Sequence, residues 1–110
     1  MKLAIIGSRN VYPTDIERYI PEGVTEIVSG GARGADRAGA NYAIRNKIKL
    51  TEFLPEYDKY GRAAPLKRNH LIAEYADQVI AFWDGESRGT LYTVNLFKDL
   101  GKPVTIITEC

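Results

Sequence analysis

The residues most able to do chemistry in this sequence lie in a glycine-rich segment, residues 29–36, with the sequence Ser-Gly-Gly-Ala-Arg-Gly-Ala-Asp. Glycine permits positive φ angles and lets the main chain approach a ligand closely. A helix that begins after such a loop presents free N–H groups and partial positive charge, so the pattern favours phosphate as the ligand. The alternative is a tight turn in which Asp36 serves only the start of the helix. The predicted phosphate-binding residues of this segment are Ser29, Gly30, Gly31, Ala32, Arg33 and Gly34.

Two further segments have the same character. Residues 84–90, Asp-Gly-Glu-Ser-Arg-Gly-Thr, precede a predicted helix, which Ser87 or Thr90 could cap while also hydrogen-bonding a phosphate. Residues 7–9 end the first apolar run, where Ser8 offers a hydroxyl group and an N–H, although a simple chain reversal is the alternative. From these segments the predicted binding residues are Gly7, Ser8, Arg9, Ser87, Arg88, Gly89 and Thr90.

Arginine recurs in or near every one of these segments. The arginines concerned are Arg9, Arg33, Arg62, Arg68 and Arg88. The formal net charge is only +1, so the protein as a whole does not attract nucleic acid or anionic membranes. Arginines gathered around glycine loops would instead focus positive potential in one crevice, where guanidinium groups bind phosphate oxygens in pairs. Solvated surface charge is the alternative for each arginine taken singly.

Few side chains suit acid–base catalysis. The only histidine, His70, falls within a predicted helix, where packing or solvent exposure is its expected role. Asp36 and Glu86 are the candidate catalytic groups, with solvated carboxylates as the alternative for both. No pair of Cys or His residues has metal-ligand spacing, so we predict no metal site.

Three aromatic residues could stack on a base or a nicotinamide ring, namely Tyr57, Tyr60 and Trp83. Packing in the core or at its rim is the alternative for each of them. We favour Trp83 as the base-stacking residue because it ends its predicted strand near the loops.

Short β-branched apolar runs alternate with segments of helical period, which is typical of an α/β fold with a parallel sheet and crossover helices. The predicted strands are Lys2–Ile6, Val24–Val28, Lys49–Leu54, Gln78–Trp83 and Val104–Thr108. The predicted helices are Thr14–Ile20, Ala35–Asn46, Ala64–Tyr75 and Thr90–Leu100. In such a sheet all strand-to-helix turns lie at the carboxyl ends of the strands, so the predicted binding residues should meet on one rim.

Length and composition predict one soluble domain, residues 1–110, with 45% hydrophobic and 26% charged residues. The sole cysteine, Cys110, has no internal disulfide partner, which fits a reducing compartment. The amino-terminal apolar run is too short for a signal peptide, and Val79–Trp83 is far below the ~20 residues that span a bilayer. We therefore expect a cytoplasmic protein without a membrane partner.

The motifs occur in an order that resembles a known family. They are Gly7-Ser8-Arg9, Ser29 to Asp36, Tyr60 to Ala64, Arg68-Asn69, Ala76 to Phe82 and Arg88-Gly89-Thr90. This series covers nearly the whole chain and resembles the YspA/YpsA-related branch of the SLOG superfamily, which includes DprA (Smf) and the LOG phosphoribohydrolases. The resemblance implies a Rossmann-like three-layer sandwich, and it adds Asn69 beside Arg68 to the predicted binding residues.

The branches of this superfamily imply different activities. LOG enzymes cleave nucleoside 5′-monophosphates between base and ribose with a Pro-Gly-Gly-x-Gly-Thr-x-x-Glu loop. Gly89 and Thr90 align with its Gly-Thr, but Thr93 stands at the glutamate position, and Glu86 and Ser87 replace part of the initial Pro-Gly-Gly. DprA-like domains bind single-stranded DNA, for which the small net charge is unfavourable.

We therefore expect a module that binds or senses a phosphorylated nucleoside or nucleotide derivative, such as ADP-ribose or an NAD-like compound. Two alternatives stay open. One is a LOG-like hydrolase of N-glycosidic or phosphate bonds that uses Asp36 or Glu86, and the other is DprA-like binding of single-stranded DNA. A homodimer is expected only by analogy with related domains.

Overall fold

The computed structural model describes residues 1–108 and contains one five-stranded sheet. The strands are β1 (Lys2–Gly7), β2 (Glu26–Ser29), β3 (Lys49–Glu52), β4 (Gln78–Phe82) and β5 (Val104–Ile107). All neighbouring strands pair in parallel, in the spatial order β3-β2-β1-β4-β5. The predicted Rossmann-like α/β sandwich with five parallel strands is confirmed. Cys110, on which the redox expectation rests, lies outside the described residues.

The central strand β1 is apolar along its length because helices cover both faces of the sheet. Leu3 and Ile5 join one core cluster, whereas Ala4 and Ile6 join the other, as the alternation of side chains along a strand requires. All four side chains are buried. Near-continuous apolar runs of this kind are typical of parallel sheets that are covered on both sides.

The helices of residues 1–108 are α1 (Ala35–Arg45), α2 (Tyr57–Tyr60), α3 (Ala64–Tyr75) and α4 (Arg88–Asp99). On one face of the sheet, α1 packs through Ala35 and Ala43. On the other face, α3 packs through Ile72 and α4 through Phe97, so the domain has three layers. None of the helices in this part of the chain has the length and apolar character to span a membrane.

The segment predicted as a helix from Thr14 to Ile20 is instead a 3-10 turn, Ile16–Tyr19. This prediction was wrong because Pro13 and Pro21 bracket too few residues for a stable α-helix. The residue before a proline is also held in an extended conformation, and Ile20 accordingly has a ψ angle of 120°.

The connection after β3, predicted as a loop, contains the single turn of α2 and a 3-10 turn, Gly61–Ala63. Residues 56–63 are all exposed. This connection therefore runs over the surface at the carboxyl ends of the strands, where it can form one wall of a site without contributing to the core.

The strand order reverses between β1 and β4, because the chain builds β2 and β3 on one side of β1 and places β4 and β5 on the other. The loops that leave β1 and β4 lead to opposite faces of the sheet and leave a crevice between them. Ligands of open α/β sheets bind in the crevice at this kind of switch point.

Candidate functional site

A cavity of about 490 Å³ opens at the switch point between β1 and β4. Small-molecule sites usually enclose ~300–1,000 Å³, so this volume suits a ligand. We call it the first cavity. Its lining residues are Ile6, Gly7, Ser8, Arg9, Asn10, Ala32, Arg33, Asp36, Pro65, Arg68, Asn69, Ile72, Asp84, Ser87, Gly89, Thr90 and Thr93.

The loop after β1 is held against the end of β4. The Ser8 N–H donates to the Phe82 carbonyl at 3.0 Å, and the Ser8 hydroxyl accepts a hydrogen bond from the Asp84 N–H at 3.2 Å. The Ser8 N–H thus serves the fold instead of a ligand. The N–H groups of Arg9 and Asn10 have no hydrogen-bond partner within residues 1–108, and both residues line the first cavity. These two amides are the donors that this loop can offer to an anion.

Gly34 joins the glycine-rich segment to the loop after β1. Its φ angle is +80°, and a Cβ atom there would lie 2.7–2.9 Å from the carbonyl oxygens of Ser8, Arg9 and Val11. Only glycine fits such a position without displacing one of the two loops. The close main-chain approach predicted for this glycine is therefore made to the protein's own backbone.

The glycine-rich segment satisfies part of its own main chain. The Gly31 N–H donates to the Ser29 hydroxyl and the Ala32 N–H donates to the Asp36 carboxylate, both at 3.2 Å. Ser29 is completely buried, and its hydroxyl donates to the Asp36 carbonyl at 3.1 Å. The N–H groups of residues 33–34, in contrast, make no hydrogen bond within the described part of the chain. Two amides of the segment are thus used internally. Of the two unpaired amides, that of Arg33 lies at the cavities, whereas Gly34 is buried and lines neither of them.

Asp36 contributes a buried carboxylate to the wall of the first cavity, with only 6% of the residue exposed. Burial raises the pKa of Asp36 to about 6, although the Ala32 N–H and the charge of Arg68 both lower it. Such a carboxyl group is partly protonated near neutral pH and can act as an acid or a base. Glu86, the other predicted catalytic group, is exposed and lies outside the cavity lining.

Arg68 and Asn69 form one hydrogen-bonded unit on α3. Arg68 Nε donates to Asn69 Oδ1 at 2.7 Å, and Arg68 Nη1 donates to the Gly30 carbonyl. Burial lowers the pKa of Arg68 and the neighbouring Asp36 raises it, and a guanidinium group stays charged in proteins. The unit therefore places a fixed positive charge beside Asp36 and ties α3 to the glycine-rich segment.

The loop after β4 is ordered by one carboxylate. Asp84 Oδ1 accepts hydrogen bonds from the N–H groups of Ser87 and Glu86, each at 2.8 Å, and these bonds lower the pKa of Asp84. The next helix, α4, begins at Arg88, earlier than the predicted start at Thr90. The Ser87 hydroxyl caps this helix by accepting a hydrogen bond from the Thr90 N–H at 3.5 Å.

A second cavity, of about 380 Å³, adjoins the first. Four of its lining residues, Arg9, Ala32, Arg33 and Arg68, also line the first cavity. The others are Gly30, Gly31, Pro55 and Tyr57. Three arginines therefore stand at the boundary between the two cavities.

Some predicted site residues line neither cavity. These are Ser29, Gly34, Tyr60, Arg62, Trp83, Glu86 and Arg88. Ser29 and Gly34 hold the glycine-rich segment in place, as described above. The Trp83 indole N–H donates to the Ser87 carbonyl at 2.9 Å, so its polar edge is used within the loop after β4. Glu86 and Arg88 are exposed.

Other lining residues of the first cavity were not among the predicted site residues. Asp84 and Thr93 lie in or beside a segment that the sequence had singled out, whereas Ile6, Asn10, Pro65 and Ile72 were missed. Pro65 and Ile72 lie three residues before and four residues after Arg68, on the same face of α3, so helical periodicity could have found both. By the same rule Thr93 lies one turn after Thr90 on α4.

Arginines from three separate parts of the chain, unpaired main-chain amides and a buried carboxylate thus surround the crevice at the switch point. Comparisons of this chain with protein-family models, curated proteins and solved structures return no match.

Proposed function

We propose that this protein binds a phosphorylated nucleoside or nucleotide derivative in the crevice between β1 and β4. The observation that carries the proposal is the convergence of Arg9, Arg33 and Arg68 on the boundary between the two cavities. They come from the loop after β1, the glycine-rich segment and α3. Guanidinium groups bind phosphate oxygens in pairs, so three of them around one opening favour an anion with more than one negative charge.

Main-chain donors support the same kind of ligand. The N–H groups of Arg9, Asn10 and Arg33, which all line the first cavity, have no partner within residues 1–108. The start of α1 follows directly, so its partial positive charge adds to that of the arginines. Main-chain amides beside arginine side chains form the usual protein environment for phosphate oxygens.

The rest of the first cavity suits a sugar better than a second anion. Asp36, Asn69, Asp84 and Thr93 contribute carboxylate, amide and hydroxyl groups to its lining. Carboxylates repel phosphate, but they accept hydrogen bonds from hydroxyl groups. An arginine-lined boundary next to this polar wall fits a phosphate that is joined to a hydroxyl-bearing group such as ribose.

A thermal-shift screen of the purified protein against AMP, ADP-ribose and NAD tests this proposal, with adenosine as the matched compound without phosphate. A ligand that binds the folded state raises the melting temperature by mass action. We expect a rise with phosphorylated compounds and none with adenosine. An equal rise with adenosine, or no rise with any compound, would refute phosphate recognition.

We also propose that the chain belongs to the YspA/YpsA-related branch of the SLOG superfamily, which the order of its glycine and arginine motifs supports.

A cytoplasmic location and a homodimer are further proposals. The exposed side chains of Leu71 on α3 and of Leu91 and Tyr92 on α4 offer an apolar surface for the dimer. Light scattering after size-exclusion chromatography tests the oligomeric state.

A hydrolase of N-glycosidic or phosphate bonds is a second candidate, favoured by the environment of Asp36. A general acid or base works best when its pKa lies near the working pH, and the pKa of Asp36 is raised to about 6 by burial. Incubation with AMP or ADP-ribose, followed by chromatography of the products, tests turnover. Turnover that disappears in Asp36→Asn, with nucleotide binding retained, would support the hydrolase.

A further inference from the structure

The second cavity differs from the first in the chemistry of its walls. Beyond the shared boundary it is lined by Gly30, Gly31, Pro55 and Tyr57, and none of these carries a charge. The first cavity, in contrast, has the carboxylates of Asp36 and Asp84. The arginines of the boundary therefore separate a charged polar compartment from one with aromatic and main-chain surfaces.

Tyr57 is the aromatic residue that lines this second compartment. It is the first residue of α2, and the residue is 56% exposed. Within residues 1–108 its ring pairs with no other aromatic ring and its hydroxyl makes no hydrogen bond. Arg68 lines the same cavity, and its pKa is lowered by burial and raised by the charges of Asp36 and Tyr57. Aromatic rings and arginine side chains are both surfaces on which nucleic-acid bases stack.

The other walls of the second cavity are suited to a planar group. Gly30 and Gly31 present main chain without side chains, and Pro55 presents a ring. A volume of about 380 Å³ lies within the usual range of small-molecule sites. Flat apolar and main-chain surfaces favour stacking of a ring over recognition of a sugar or an ion.

We propose that the second cavity holds the nucleoside of the ligand, with its base stacked on Tyr57, while the phosphates lie among the boundary arginines and a second hydroxyl-bearing group enters the first cavity. This assignment rests on the proposed function and makes it more specific. The ligand class becomes a nucleoside diphosphate that carries a sugar or similar group on its far phosphate. The stacking residue is then Tyr57 instead of Trp83.

Calorimetric titration with ADP-ribose tests the assignment when Tyr57→Leu is compared with Tyr57→Phe. Leucine keeps apolar bulk but has no aromatic face, whereas phenylalanine keeps the ring and loses only the hydroxyl. We expect about a tenfold loss of affinity for ADP-ribose in Tyr57→Leu and a change within about twofold in Tyr57→Phe. Tyr60→Leu is the matched control, because Tyr60 also lies on α2 but lines neither cavity.

Ribose 5-diphosphate, which lacks the adenosine of ADP-ribose, separates the two proposals. We expect it to bind the unmodified protein about tenfold more weakly than ADP-ribose, with the same affinity in Tyr57→Leu. If ADP-ribose binds Tyr57→Leu as tightly as the unmodified protein, the base site is wrong and phosphate binding stands. If neither compound binds the unmodified protein, the proposed function fails and the base site fails with it.

Discussion

The guanidinium group of Arg68 on α3 donates a hydrogen bond to the main-chain carbonyl of Gly30, 38 residues earlier in the sequence. The same group lies beside the Asp36 carboxylate, and Arg68 lines both cavities. Arg68 thus fixes the glycine-rich segment in position and also presents positive charge to a ligand. Its neighbour Asn69 accepts a further hydrogen bond from Arg68 Nε and holds the guanidinium in place.

Replacement of Arg68 should therefore reduce both stability and binding. Arg68→Met keeps the apolar length of the side chain but removes every donor, which leaves the Gly30 carbonyl unpaired. An unsatisfied buried polar group costs ~1–3 kcal/mol, and we expect a loss of that order in the free energy of unfolding measured in urea. Unchanged stability together with weaker nucleotide binding would show that the Gly30 contact does not support the fold.

Arg33 should contribute to binding without contributing to stability, because its side chain is exposed at the boundary of the two cavities. We expect Arg33→Ala to weaken binding of ADP-ribose by ~1.5–3 kcal/mol and to leave the melting temperature nearly unchanged. Arg88→Ala is the control, since Arg88 is exposed and lines neither cavity. An unchanged affinity would show that Arg33 does not contact the ligand, and a large fall in melting temperature would identify Arg33 as structural.

Because of Asp36, the free energy of unfolding should be larger in mild acid than at neutral pH. The pKa of Asp36 is about 6 in the folded state against an ordinary value of 3.8, so the folded state binds more protons than the unfolded state between these values. Stability from this group therefore rises as the pH falls from 7.5 towards 4.5, by about 1–3 kcal/mol in all.

The comparison of this protein with Asp36→Asn isolates that effect, because asparagine cannot titrate. Hydrogen bonds from Thr51 and Tyr75 lower the pKa of Glu26, so the stability that Glu26 contributes is lost in acid. This loss is the same in both proteins and cancels when their free energies of unfolding are subtracted. Urea unfolding at several pH values measures the two curves. A constant gap between them from pH 7.5 to 4.5 would show that Asp36 titrates normally.

Gly34 should be irreplaceable, whereas Gly89 should tolerate alanine. A Cβ atom at Gly34 would meet three carbonyl oxygens and require a positive φ angle, but one at Gly89 would meet no atom within 4 Å. We expect Gly34→Ala to lower the free energy of unfolding by ~1–3 kcal/mol and Gly89→Ala to change it little. Equal stability of the two variants in urea would mean that the glycine-rich segment and the loop after β1 can move apart without a loss of free energy.

AMP should not be cleaved to adenine and ribose 5-phosphate at a significant rate. Thr93 lines the first cavity, and its hydroxyl donates to the Gly89 carbonyl at 3.0 Å, so no carboxylate is present at that position to stabilise an oxocarbenium-like centre. Chromatography of a prolonged incubation measures the products. Robust turnover that persists in Thr93→Ala would contradict this expectation and make Asp36 the next residue to test.

The fold and much of the site could be predicted because they depend on local pattern. Buried parallel strands need near-continuous apolar runs, and the turns that follow them must lie at one edge of the sheet, so the sequence could place these turns together. The helix predicted from Thr14 to Ile20 was wrong. The two flanking prolines restrict the backbone conformation, and this restriction outweighs the helical period of the apolar residues.

Spacing along the chain does not specify which side chains line a cavity. That depends on how the helices and loops pack against one another. The sequence favoured Trp83 over Tyr57 as the base-stacking residue, yet packing uses the indole N–H of Trp83 within a loop and leaves Tyr57 on a cavity wall. The contact between Arg68 and Gly30 and the burial of Asp36 likewise depend on how α3 packs across the sheet. The sequence alone determined the five strands, the helices α1, α3 and α4 and the rim where they meet, because these follow from short-range pattern. The shape, charge and donors of the site arise from contacts between residues distant in sequence, so they required the packed structure.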